Sequence, residues 1–210
     1  YQAVVNNQQA FNEGKNLDAY DAFILTQAGI DVDTWVYEGE SFKASILSAI
    51  DETIAQADAK TTDWSGKEVY EKSSKTIAQQ YLAAKAWNEE ERAALLLGIL
   101  KNRQLENNNG SIDNSPFSDI AAYELIGRSG DIAELATGAT ITFILDNRDS
   151  GTGAWTSSWN DFMTTAQAIR ALSYLQDYAG DQSDKVQEAI DAGLNWLLGF
   201  QKEDGSFAMD

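Results

Sequence analysis

The chemistry open to this 210-residue chain is carboxylate chemistry, because it holds 33 Asp and Glu residues and neither His nor Cys. Triads and dyads built on an imidazole or a thiolate are excluded, and so are zinc sites that need those ligands. What remains is a pair of acids facing each other across a cavity, an arrangement that cleaves glycosidic bonds. Asp119 and Asp161 are the candidates, since each opens a helix and the two are expected to point to the same end of a cavity. Among 33 acids some such pair arises by chance, and either residue serves equally well as a helix cap or first-turn charge. No catalytic residue is assigned beyond these two. Asp31-Val32-Asp33-Thr34 also groups two acids, but it follows the helix stop at Gly29 and reads as a solvated loop. The acidic stretches Asp146–Asp149 and Asp113–Asp119 offer oxygen ligands without the spacing of a calcium loop, so no metal is assigned.

The formal charge of −18 repels nucleic acid and anionic membrane surfaces, and both are set aside as partners. No apolar run reaches the length of a membrane-spanning helix, so insertion is not expected. Acidic faces of this kind keep a protein soluble. The absence of Cys removes a disulfide framework as well.

The elements that position these acids are announced by a phrase written three times. An apolar pair ends a helix, a Gln or Arg follows, then a short polar stretch, then Gly-x-apolar. The copies are Ile99-Leu100, Gln104 and Gly110-Ser111-Ile112; Phe143-Ile144, Arg148 and Gly153-Ala154-Trp155; and Trp196-Leu197, Gln201 and Gly205-Ser206-Phe207. Gln104, Arg148 and Gln201 lie 44 and 53 residues apart, a period typical of stacked helix pairs. The Gly permits a turn at positive φ, the Gln can tie the helix end to that turn, and the last apolar residue folds back as a wedge between repeats. The default role of the phrase is structural.

This phrase resembles the QW motif of terpene cyclases, and its surroundings resemble the prenyltransferase/squalene-cyclase repeat family. The likeness rests on Asp161 to Leu172 (DFMTTAQAIRAL), on Asp119 to Ile126, and on Asp18 to Ile30, which is similar to the opening helix of a secreted Gram-positive branch. It covers roughly residues 17–30 and 75–210. The resemblance implies an all-α fold, an α/α toroid of alternating inner and outer helices, here a partial or incomplete ring. It also implies an extracellular or cell-surface location and further domains in a longer protein. The cyclase acid motif Asp-x-Asp-Asp is not complete: against Asp161-Phe162-Met163-Thr164-Thr165-Ala166 only the first Asp stands. The zinc ligands of protein prenyltransferases are missing. Members that carry cobalamin imply a cobalamin-type ligand as one occupant of the cavity. Tyr123, Trp159 and Phe162, near the inner-helix openings, are the expected ligand-facing aromatics, and Trp155 is expected to be the repeat wedge.

Helices are expected at 17–29, 41–59, 75–87, 89–104, 118–128, 131–146, 161–178 and 185–202. Residues 1–15 form a polar arm or short helix, and Asp63–Gly66 a turn with a short helix after it. Asn88 is expected to be an N-cap, with Glu89 to Glu91 in the first turn. Trp35, Tyr37, Trp64 and Trp87 are assigned to core or interface packing. No Pro/Gly/Ser linker divides the chain, so one domain is expected over 1–210, as a piece of a longer protein. The function that follows is a non-catalytic ligand-binding or surface-interaction module. The alternatives are a carboxylate-dependent glycosidase or lyase using the cavity, and a purely structural spacer.

Overall fold

The computed structural model describes residues 2–15, 17–155 and 161–207. These residues are mostly helical: α1 (Gln2–Asn12), α2 (Ala19–Gln27), α3 (Phe42–Ala55), α4 (Ser74–Ala86), α5 (Glu90–Asn107), α6 (Pro116–Arg128), α7 (Thr137–Asp146), α8 (Asp161–Leu175) and α9 (Ser183–Leu198). Two short antiparallel pairs interrupt them, β1 (Val36–Tyr37) with β2 (Glu40–Ser41), and β3 (Lys60–Thr62) with β4 (Glu68–Tyr70). The second pair replaces the short helix expected after Gly66. The first pair turns through Glu38 and Gly39, both at positive φ (52° and 90°). The second closes with Asp63 Oδ1 accepting from the amides of Ser65 (2.8 Å) and Lys67 (3.0 Å). That side chain supplies the turn and leaves the flanking Thr and Val residues extended.

Helix starts follow the local chemistry of the sequence. Asp18 caps α2 by accepting from Tyr20 (2.8 Å) and Asp21 (3.0 Å), and the Asp21 side chain accepts from the Asp18 amide in return. Ser41, Ser73 and Ser115 cap α3, α4 and α6, with Pro116 in the first turn of α6 where no amide donor is needed. Asn88 behaves otherwise than expected. It sits at φ 59° just past α4, and the following amide of Glu89 donates back to Ala84 O at 2.9 Å. It therefore terminates one helix rather than starting the next, because Asn tolerates the left-handed region at low cost.

The chain separates into two compact units, Tyr1–Ile99 and Leu100–Asp210. In the first, α2 packs along α4, with α3 against both. Ala22 and Leu25 of α2, Ile46 and Ile50 of α3, and Ile77, Tyr81 and Leu82 of α4 form its core. Trp35 joins Phe11 and Phe42 in an aromatic cluster, and the half-buried Trp87 donates its indole N–H to Thr26 Oγ1 at 2.9 Å. Trp64, assigned to packing, stands 98% exposed at the tip of the second hairpin.

In the second unit α6 packs along α8 and α8 along α9, while α7 touches α6, α8 and α9. The α6–α8 approach is close because Gly127 leaves room: a Cβ there would lie 2.3 Å from the Tyr174 ring. Nearly all of α6 is buried, from Asp119 to Gly127.

Candidate functional site

The three phrases end α5, α7 and α9. In the first, Gly110 takes φ 84°, and Gln104 is 3% exposed. The Gln104 amide donates to Thr140 Oγ1 (2.7 Å) and to Gly110 O (3.2 Å), and its oxygen accepts from the Ala136 amide (2.8 Å) at the start of α7. One side chain thus joins the end of α5, its turn and the start of α7.

Asp119 lies under the same turn and is completely buried. Its carboxylate accepts from Ser111 Oγ (2.7 Å) and from the amides of Ile112 and Asp113 (3.1 Å each). These bonds hold the turn against α6 and leave the carboxylate no face toward a substrate. Tyr123, expected to face a ligand, is likewise fully buried, and its hydroxyl donates to Gly110 O. Burial pushes its phenol well above the ordinary value, with the Asp119 charge adding in the same direction. The Asp119–Asp161 pair is not brought together as a described pair, because the side chain of Asp161 lies outside the described residues, as does Trp159. Phe162 is half-buried and packs on Trp196 and Phe200, with ring centroids 5.3 Å from each.

The second phrase builds a different surface. Asp149 Oδ1 accepts from the amides of Gly151 and Thr152 (2.8 Å each), and Gly153 N donates to Asp149 O at 2.7 Å. The amides of Thr152 and Gly151 hold the Asp149 carboxyl below its ordinary range. The turn rests directly on α9, since a Cβ on Gly153 (φ 81°) would lie 2.9 Å from the Cβ of Ala192. Trp155 is 1% exposed; its indole N–H donates to Ile144 O (2.7 Å), and its amide donates to Thr165 Oγ1 (3.1 Å). These bonds hold the buried ring between α7 and α8.

Arg148 stands where the first phrase has the sealed Gln104, and it faces α9 instead of the start of α7. Its Nη2 donates to Glu188 Oε1 at 3.2 Å, while Nη1 is buried with no hydrogen-bond partner among the described residues. Around it lies a cleft of about 450 Å³, floored by the Gly151–Gly153 turn and walled by Glu188, Ala192, Asn195 and Trp196 of α9. That volume is within the range of small-molecule sites. Asn195 is exposed, Trp196 is half-buried, and the Glu188 side chain is 72% exposed. The result is an aromatic edge beside three planar polar groups, one of which has a donor to spare. A smaller cavity of about 210 Å³ in the first unit, lined by Phe11, Tyr37, Phe42, Lys15 and Glu40, falls below that range.

Sequence reasoning assigned Trp196 to the structural phrase and missed Glu188 and Asn195. Their signal was helical spacing, because residues 188, 192 and 195 recur on one stripe of α9. It also missed the buried Glu124, whose Oε1 accepts from Arg128 (2.7 Å) and from Arg170 of α8 (3.0 Å). The i, i+4 spacing of Glu124 and Arg128 was visible, whereas the α8 partner was not. Among the described residues no group of three or more acidic side chains is arranged to hold a metal ion, and no helix is long and apolar enough to cross a membrane. No family model matches the chain, and a search of solved structures finds no significant match.

Proposed function

We propose that this protein is a non-catalytic binding module of the cell surface, and that its site is the cleft between the Arg148–Gly153 turn and α9. The observation that carries this reading is the unspent Arg148 donor beside Glu188, Asn195 and the Trp196 ring, in a cleft of about 450 Å³. Planar amide, carboxylate and guanidinium groups pair with vicinal hydroxyls, and an indole offers an apolar face or edge to a sugar ring. Arg148 and Glu188 neutralise each other locally, and the net charge of −18 disfavours anions, so the ligand class is a neutral polyhydroxylated one, a saccharide. A non-catalytic role is supported by the internal engagement of Asp119. The α/α toroid arrangement and the surface location rest on the family resemblance; for the arrangement, the order of α5 to α8 adds support, since phrase-bearing α5 and α7 are followed by helices that open with Pro116 and Asp161.

The test is a calorimetric and thermal-shift panel of neutral oligosaccharides, with acidic ones, a cobamide and calcium as comparison arms. A neutral saccharide should raise the unfolding midpoint with concentration, by mass action. Asn195→Ala and Glu188→Ala, both at exposed positions, should weaken that binding about tenfold, the loss of roughly one hydrogen bond to a charged or polar group. Binding that ignores both substitutions, or a response only to the cobamide or calcium arm, would sink the assignment to this cleft.

A further inference from the structure

The cavity of about 210 Å³ in the first unit has a chemistry unlike that of the Arg148 cleft. It lies where the end of α1 meets the β1–β2 pair, with Phe11, Tyr37 and Phe42 among its walls and Glu40 in its lining. Trp35 and Phe42, 6% and 1% exposed, form the packed backing, their rings stacked at 6.3 Å. In front of them stand Phe11 and Tyr37, with ring centroids 6.2 Å apart and planes at 68°. The two rings make a corner, and Tyr37, 38% exposed, leaves that corner open to water. Gly14, at φ 70° just after α1, lets the corner form. A Cβ there would lie 2.6 Å from the Tyr37 hydroxyl oxygen and force the ring away.

The charges around the corner are unevenly spent. Lys15, the cation in the lining, gives its ammonium to Glu13 at 2.8 Å. The Glu40 side chain is exposed and has no hydrogen-bond or ion-pair partner among the described residues, and the same is true of Glu38 at the turn. Asp31, Asp33, Glu38 and Glu40 face a single nearby cation in sequence, Lys43, which stands over the Trp87 ring at 5.6 Å. A carboxylate without a partner beside open aromatic surface, in a chain of net charge −18, draws a cation.

We propose that this corner binds a quaternary ammonium group, with Phe11 and Tyr37 against its methyl groups and Glu40 opposite its charge. A primary ammonium would bring three N–H donors to satisfy, and a bare metal ion would ask for several oxygen ligands. The corner supplies one carboxylate and two rings. A methylated cation has no N–H to satisfy, and its diffuse positive surface is attracted to ring faces. The volume suits such a headgroup and falls short of an oligosaccharide. Glu38 and Glu40 repel a ligand that carries its own anion close to the ammonium, so choline is favoured over glycine betaine and phosphocholine. This site is distinct from the saccharide cleft and takes a different class of ligand.

The experiment is isothermal titration calorimetry of the full chain with choline and with a short peptide containing Nε-trimethyllysine, two sources of the same group. Ammonium, glycine betaine and phosphocholine, at matched ionic strength, are the comparison arms. Saturable binding of choline, of the peptide or of both is expected, at least about tenfold tighter than that of ammonium. Tyr37→Ala and Glu40→Gln should each weaken it about five- to tenfold, whereas Tyr37→Phe, which keeps the ring, should leave it unchanged. Glu40→Gln changes an exposed and unpaired side chain, so it tests the site even where Tyr37→Ala disturbs the fold. Asn195→Ala, in the saccharide cleft, should have no effect on this binding. The proposal is overturned if neither source binds, if ammonium binds as well, or if phosphocholine or betaine binds better than choline. It is equally overturned by binding that survives Glu40→Gln or survives Tyr37→Ala in a folded protein.

Discussion

Replacing Gly110 and Gly205 by alanine, one at a time, separates the cost of a left-handed backbone from the cost of a docked helix. Both glycines sit at nearly the same φ, 84° and 83°, so the conformational penalty for a Cβ is common to the two, about 1–2 kcal/mol. Part of it is offset, by roughly 0.4–1 kcal/mol, because alanine narrows the unfolded ensemble. Gly205→Ala should therefore cost about 1 kcal/mol and no more, since the new methyl meets open space. At Gly110 the same methyl would lie 2.1 Å from a backbone oxygen of α7, which has no rotamer to escape into. The turn must lift away, adding about 1–3 kcal/mol of overpacking. Lifting also strains the bonds from Gln104 and Tyr123 to Gly110 O, and each buried polar group left unpaired costs about 1–3 kcal/mol. The total is about 3–6 kcal/mol. At about 2–4 °C per kcal/mol for a chain of this length, Gly110→Ala lowers the midpoint by roughly 10 °C or more and Gly205→Ala by only a few degrees. Differential scanning calorimetry, checked by urea unfolding with the m-value held in view, reads the difference. Gly153→Ala should fall between them, because its clash is with a methyl group at 2.9 Å. Equal losses at Gly110 and Gly205 would refute the view that these glycines differ by docking.

Two other outcomes follow from buried polar groups. The Tyr123 phenol is raised above its ordinary value of about 10 by burial, so the folded state keeps its proton where the unfolded chain loses it. The unfolded state then binds fewer protons, and stability falls as pH rises past about 10, by about 1.4 kcal/mol per pH unit for this one group. Urea titrations between pH 8 and 11 should show a steeper loss for the parent than for Tyr123→Phe; parallel curves would dismiss the effect. Removing the Glu124 carboxylate as Glu124→Ala strands two guanidiniums around a site whose side chain is only 2% exposed. Because Arg128 and Arg170 can turn partly to water, the expected loss is about 2–3 kcal/mol, below the full cost of breaking a buried pair. Arg170→Ala, at a half-exposed side chain, should cost under about 1 kcal/mol by the same urea assay.

What the sequence determined by itself was local. Asp18, Ser41, Ser73 and Ser115 start helices because their side chains reach amides two or three residues away, and that reach is written in the chain. Gly110, Gly153 and Gly205 adopt the same left-handed turn because nothing but their neighbours is needed to make it. The tertiary structure decided everything that depends on a partner far along the chain. Asp119 and Tyr123 looked available for chemistry, and both are consumed beneath the first turn by groups on other segments. The two strand pairs were missed because each needs two short runs to meet, and neither run alone is long enough to declare itself. Arg148 and Gln104 occupy one position in the phrase, yet only the identity of the facing helix leaves one with a cleft and the other sealed. The three phrases are alike as sequence and unlike as structure, because a turn is made by its own residues and a docked turn by the helix that arrives later.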